Sequence, residues 1–133
     1  MKECIFCSIA SEKVGSHKIY ENEHVFAFLD NSPASEYHTL VIPKAHYNNI
    51  FDTSEKDLKE IASAIKHITT MYKQRIGIEN VQIINNSGED AQQEVFHTHF
   101  HIIPRYKNDG LDIHQIKDPK IKDKLDELML KLK

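Results

Sequence analysis

From Asp52 to Gly77 apolar residues recur every three or four positions, at Leu58, Ile61, Ile65, Ile68 and Tyr72. That period gathers them on one stripe and predicts a long amphipathic helix. Asp52, Thr53 and Ser54 are competing N-caps, and Gly77 is a natural C-terminal stop. His67 falls off the stripe and is expected in solvent. On both sides of this helix the period shortens to two. Residues 17–21 and 25–29 read as short strands about Asn22-Glu23, a tight hairpin, with Val25, Ala27 and Leu29 alternating with Phe26 and Phe28. Asp30 then opens a turn with Asn31, Ser32 and Pro33. Residues 39–42 form a further strand ended by Pro43, and residues 81–85 another. Near the end, Asp118 as cap, Pro119 in the first turn, and Ile121, Leu125, Leu128 and Leu132 predict a short amphipathic helix for packing or an interface. The expected class is α+β: an antiparallel sheet of about five strands with one long helix on a face and a C-terminal helix.

The remaining strand has the wrong chemistry for a purely structural role. His97-Thr98-His99-Phe100-His101-Ile102-Ile103 alternates with period two, and Pro104 marks its end by removing a ladder donor. Read as a strand, it aims His97, His99 and His101 at one face. Three imidazoles there cost stability unless they are satisfied, and packing alone selects Val or Ile. Neutral imidazole binds metal, and it also serves as nucleophile or general base. One ion cannot gather all three, because the row spans roughly 13 Å at about 3.3 Å per residue, whereas zinc–nitrogen bonds are about 2.0–2.1 Å. Different jobs along the row are expected.

Bulk properties narrow the class. With 133 residues, 40% apolar and 28% charged, residues 1–133 form one domain with its own core. A formal net charge of −3 argues against a general nucleic-acid binder, which needs a basic face. No apolar run reaches membrane-spanning length, and Met1-Lys2-Glu3-Cys4 lacks the apolar core of a signal peptide. Two cysteines spaced Cys4-x-x-Cys7 make a disulfide scaffold unexpected and a reducing cytoplasm the expected location. Two thiolates supply half of a tetrahedral zinc site, and nine histidines leave the other half open. The plainer reading is two small buried thiols.

The triad segment resembles the His-φ-His-φ-His-φ-φ signature of the histidine triad (HIT) family, with Thr98 less apolar than usual. The resemblance extends to Cys4-Ile5-Phe6-Cys7, Phe26-Ala27-Phe28-Leu29-Asp30, His38-Thr39-Leu40-Val41-Ile42-Pro43-Lys44-Ala45-His46 and Asn86-Ser87-Gly88. These blocks lie in family order over residues 4–105, leaving 106–133 as a tail. The resemblance implies a bacterial-type small HIT protein, a nucleoside phosphoramidase or dinucleotide hydrolase acting on a purine nucleotide. It also implies a homodimer paired through the long helix, and a structural zinc held by Cys4, Cys7, His46 and His97.

By the same resemblance His99 is the nucleophile that attacks an α-phosphorus, forming a nucleotidyl-histidine that water hydrolyses to a nucleoside monophosphate. Candidate substrates are nucleoside phosphoramidates, acyl or aminoacyl adenylates and dinucleoside polyphosphates. His97, His101 and Gln93 complete the catalytic group, with His101 and Gln93 on phosphate oxygens. Phe6, Ile9 and Phe28 line a base pocket, Asp30 with Asn31 serves the ribose, and His38 lies near the reaction centre. Asn86 positions ribose or phosphate, and the backbone at Glu94 and Val95 stabilises developing charge.

Three places depart from the family pattern. Gln92 replaces a usual glycine, so a positive φ there stores strain. Glu94 stands where one branch carries a serine, and strand parity predicts that its side chain points away from the histidine row. Glu36-Tyr37 replaces Pro-Gly, which reshapes the turn before His38. Two further functions compete: a purine-nucleotide-binding regulatory module with little turnover, and a hydrolytic metal centre using His99 as well as His97.

Overall fold

The computed structural model describes residues 4–133; residues 1–3, part of the stretch read as lacking a signal-peptide core, lie outside the described residues. Five strands form one antiparallel sheet in the order β1-β2-β3-β5-β4, with β1 Lys18–Glu21, β2 Val25–Leu29, β3 Thr39–Pro43, β4 Val81–Ile84 and β5 Phe100–Pro104. The long helix α2 runs Glu55–Ile76; a short helix α1, Ile5–Ala10, and a C-terminal helix α3, Leu125–Leu130, complete the elements used below.

Ser54 wins the contest for the α2 N-cap: its Oγ accepts the Asp57 N–H at 3.1 Å. Such a cap contributes about 1 kcal/mol. Gly77 ends the helix in the left-handed region at φ 73°, which a Cβ would strain. The apolar stripe packs Ile61, Ala64, Ile68 and Tyr72 against Val25, Ala27, Val41 and Ile102 of the sheet. Ile68 is fully buried, so Ile68→Ala should cost roughly 2–5 kcal/mol. His67 is exposed and lies beside the Tyr20 ring.

The opposite sheet face is also covered. Phe26, Phe28, Leu40 and Ile42 pack against Phe6, Ile9 and Ala10 of α1. Both faces of β2 and β3 are therefore apolar, which explains why residues 25–28 alternate only between two kinds of buried residue. In the β3–β5 ladder His101 pairs with Leu40 and Phe100 with Val41. His101 thus faces the α1 side, while Phe100 and Ile102 face α2.

Two sequence expectations are corrected, and one element is new. The triad strand begins only at Phe100; residues 95–97 are bends and residues 98–99 are irregular. Helix α1 carried no sequence expectation. The C-terminal helix is broken into a 3-10 turn at Ile121–Lys124 and the one-and-a-half turns of α3. Asp118 does cap the turn before it, accepting the Lys120 N–H at 3.0 Å. Its stripe stays in solvent, with Leu128 41% and Leu132 81% exposed.

Candidate active site

A cleft of about 480 Å³ opens on the α1 side of the sheet. One wall is apolar: Phe6, Ile9, Phe28 and Leu40, with the Phe6 and Phe28 rings edge-to-face at 5.7 Å. Asp30, Asn31, Ser32 and His38 form a polar end, and Asn86, Gln92, Glu94 and Val95 the other lip. His99 and His101 lie between them. No lysine or arginine lines the cleft among the described residues.

The hydrogen bonds assign the ring protons. The His99 Nδ1 lies 2.8 Å from the His97 carbonyl oxygen. A carbonyl only accepts, so Nδ1 carries the proton and the neutral ring keeps its Nε2 lone pair. His38 accepts the Ala34 N–H on Nδ1 at 2.9 Å, so its proton sits on Nε2. That Nε2–H donates to His101 Nδ1 at 2.9 Å and lies 3.4 Å from Asp30 Oδ2. His101 therefore carries its own proton on Nε2. Two adjacent rings, 5.1 Å apart, thus offer one lone pair and one N–H. Burial holds His101 down at about 4, helped by the neighbouring His99 and His38, and burial also lowers His38 against the pull of Asp30.

Asp30, His38 and His101 lie close enough to suggest a metal site. The proton on His38 Nε2 argues against one, because a ligating nitrogen must present a lone pair. Asp30 instead caps its turn, its Oδ1 accepting the Ser32 N–H at 2.8 Å.

A second cluster lies behind His99. The Cys4, Cys7, His46 and His97 donor atoms all fall within 4.8 Å of one another. Three of the sulfur–nitrogen separations are 3.3–3.4 Å, and the two nitrogens are 3.2 Å apart. Tetrahedral zinc with Zn–S about 2.3 Å and Zn–N about 2.0–2.1 Å places such donors roughly 3.3–3.6 Å apart. His97 Nε2–H donates to the Pro43 carbonyl at 2.8 Å, which leaves Nδ1 to ligate, the usual outer support of a metal-bound histidine. The donor set fits zinc. His99 is not part of it, so this cluster does not support a metal centre spread along the triad.

Two residues are not where the sequence reading placed them. Gln93 does not line the cleft: its Nε2 donates to the Asn48 and Val95 carbonyls at 2.6 and 3.0 Å, and its Oε1 accepts the Gly88 N–H at 2.8 Å. It braces the loop and has no amide group left for phosphate. Glu94 does line the cleft, because strand parity fails where the backbone is not extended. Gln92 sits at φ 68°, the conformation that favours glycine, and Tyr37 of the reshaped turn at φ 66°. Ile5, Ser32, Leu40 and Gln92 also line the cleft. Of these Leu40 was legible in principle, as the β3 residue opposite His101. Asn85 was missed as well: its Nδ2 donates to the His99 carbonyl at 3.0 Å, and its Oδ1 accepts from the Ser87 hydroxyl at 2.7 Å.

Residues 11–108 match the HIT domain. An uncharacterized HIT-like protein of Methanocaldococcus jannaschii is 40% identical over 130 residues, 98% of each chain. Adenosine 5'-monophosphoramidase HNT1 of Saccharomyces cerevisiae is 35% identical over 102 residues, 77% of this chain and 62% of the relative. Among solved structures, a HIT family protein from Bacillus anthracis superposes with a TM-score of 0.87 at 36% identity, covering 97% of this chain and 94% of that one. A zinc-bound histidine triad family protein from Mycobacterium smegmatis gives 0.78 at 30% identity, with 94% and 96% covered. Motif, sheet order and these likenesses agree, and the chain belongs to the HIT family.

Proposed function

We propose that the protein is a nucleotide hydrolase or nucleotidyl transferase that works through a nucleotidyl-His99 intermediate. The observation that carries this reading is the Nδ1–H of His99 held by the His97 carbonyl, which leaves a neutral Nε2 lone pair in the cleft. The purine enters between Phe6, Ile9 and Phe28, and Asp30, an acceptor-only group when ionised, takes the ribose hydroxyls with Asn31. His99 Nε2 attacks the α-phosphorus. The P–N bond to the ring forms as the bond to the leaving group breaks, and the leaving group takes a proton from solvent water. His101 Nε2–H donates to a phosphate oxygen, and His38 keeps that tautomer in place. Asn86 and the backbone N–H groups of Glu94 and Val95 steady the charge that develops. Water then cleaves nucleotidyl-His99, releases the nucleoside monophosphate and restores the ring.

The substrate class is a nucleoside phosphoramidate, an acyl or aminoacyl adenylate, or a dinucleoside polyphosphate. The phosphoramidase name of the yeast relative and the absence of lysine and arginine from the described lining favour the first two. A fluorogenic adenosine phosphoramidate tests this: release of the amine with stoichiometric AMP is expected, and tight nucleotide binding without turnover supports a regulatory module instead.

Zinc at Cys4, Cys7, His46 and His97 is assigned a structural part. It supplies a cross-link, and those residues tie α1, the segment after β3 and the triad together. Two thiolates on zinc suit a reducing compartment, which we take to be the cytoplasm; among the described residues no helix is long and apolar enough to cross a membrane. An apolar trough of about 340 Å³ between α2 and the edge strand β4, lined by Leu58, Ile61, Ala62, Ile65, Ile83 and Phe100, is assigned to a second copy of the chain. Its exposed Ile83 and the free edge of β4 suit sheet-continuing pairing.

A further inference from the structure

We propose that Cys4 and Cys7 form an oxidant-responsive dithiol whose closure ejects zinc, releases α1 and opens the apolar wall of the cleft. The inference rests on the zinc and nucleotide readings above.

The two sulfurs are placed for each other. Cys4 is the N-cap of α1, and its Sγ accepts the Cys7 N–H at 3.4 Å. Both sulfurs belong to a group of donor atoms lying within 4.8 Å of one another, so a disulfide of about 2.05 Å needs only a local adjustment at the start of α1. They are the chain's two cysteines, so no other intrachain disulfide competes. Both are half-buried and His46 beside them is exposed, which admits a small oxidant.

The step balances with hydrogen peroxide, or another two-electron hydroperoxide, as oxidant. One thiolate attacks a peroxide oxygen, the O–O bond breaks, and a sulfenic acid and hydroxide result. The second thiolate attacks that sulfur, forming the S–S bond and expelling a second hydroxide. Two solvent protons convert the hydroxides to water. Two electrons leave the sulfurs and Zn²⁺ loses two of its four ligands, so His46 and His97 alone retain it weakly.

Helix α1 then loses its anchor. It has six residues, well below the roughly 12–15 at which an isolated helix becomes even marginal in water. Among the described residues the backbone hydrogen bonds of 4–14 outside the helix itself are all local. What ties α1 to the domain is the packing of Phe6, Ile9 and Ala10 and the sulfur–imidazole cluster. Phe6 is the link to function. Its ring meets Phe28 at 5.7 Å and His99 at 5.1 Å, so freeing α1 removes one side of the base pocket and a neighbour of the nucleophile.

Zinc-loaded protein treated with peroxide, then with dithiothreitol plus zinc, tests the proposal. The expected result is one disulfide per chain and about one equivalent of zinc released. Amide exchange at residues 5–10 should rise while β3 and β5 stay protected, and AMP affinity should fall at least about tenfold, with reduction and zinc reversing all four. Cys4→Asp retains an N-cap oxygen and a zinc ligand but cannot close a disulfide, so its AMP affinity should not respond to peroxide. Zinc retained after peroxide, protein purified without zinc, or zinc released with exchange at 5–10 unchanged overturns the proposal. Reduced, zinc-loaded protein that binds no AMP contradicts the nucleotide reading instead, and zinc release with amide exchange still decides the dithiol.

Discussion

His99 donates its Nδ1–H to the backbone carbonyl of His97 at 2.8 Å, while the His97 ring turns its own Nδ1 toward Cys4 and Cys7. One residue therefore faces two sites. Its main chain sets the tautomer of the candidate nucleophile, and its side chain completes the candidate zinc cluster. On the proposed reading the row of three histidines divides its work by position: support at 97, attack at 99, donation to phosphate at 101.

If the cluster holds zinc, the protein should carry about one equivalent per chain, and stripping it should lower Tm by more than about 5 °C. A structural site contributes folding free energy, and roughly 1 kcal/mol moves a domain of this size by a few degrees. Metal analysis with calorimetry before and after chelation measures both, and metal-free protein with an unchanged Tm removes the assignment.

Glu94 in the cleft should act on leaving-group charge. A carboxylate about 4 Å from an anion opposes it by roughly 4 kcal/mol at an effective dielectric of 20, and solvent exposure reduces that considerably. Glu94→Gln is expected to raise turnover of a dinucleoside polyphosphate about tenfold, roughly 1.4 kcal/mol of barrier, with little change for an amine leaving group. Equal effects on both substrates would place the carboxylate away from the leaving group.

Stability should fall in mild acid. The folded value of His101 is depressed to about 4 from an ordinary 6.5, mainly by burial, and His38 moves in the same direction. Between those values the unfolded chain binds protons that the folded chain refuses, so stability decreases as pH is lowered from about 6.5 and levels off below about 4. Urea midpoints across that range measure the slope, and His101→Asn should reduce it, leaving the share of the other buried histidines. A slope unchanged in the variant would assign the effect elsewhere.

Asn85 should position His99 without touching substrate. Its amide holds the His99 carbonyl at 3.0 Å just beyond the last β4–β5 ladder pair, Ile84 with His101, acting as a substitute ladder donor. Asn85→Ala should cost about 1 kcal/mol of stability and lower kcat about tenfold while KM stays within about twofold. Loss confined to KM would make it a binding residue.

Much of this was legible in the residues. The 3.6-residue stripe from Leu58 to Tyr72, Gly77 and the period-two segments specify the helix and four strands, because both periods report which face is buried. Cys4, Cys7, His46 and His97 are recoverable only through family likeness, since their spacing along the chain says nothing of how α1 folds back. Helix α1 escaped notice because six residues are too few to show a period and its cap is a thiol. Glu94 was misplaced by parity, whereas Gln93 was set on phosphate by the family likeness alone. Parity along a strand holds only where the backbone is extended, and the chain from Gln92, at φ 68°, to His99 is a loop. The loop turns Glu94 into the cleft and buries Gln93 as its brace.

The central claim is the nucleophile. Rapid acid-free quenching of the protein with an adenosine phosphoramidate, followed by peptide mass spectrometry, should find one adenylyl group on His99, formed and discharged at rates compatible with turnover. His99→Asn should show neither adduct nor turnover while still binding AMP. Full turnover in His99→Asn, or an adduct on another residue that forms fast enough to account for turnover, would contradict the account.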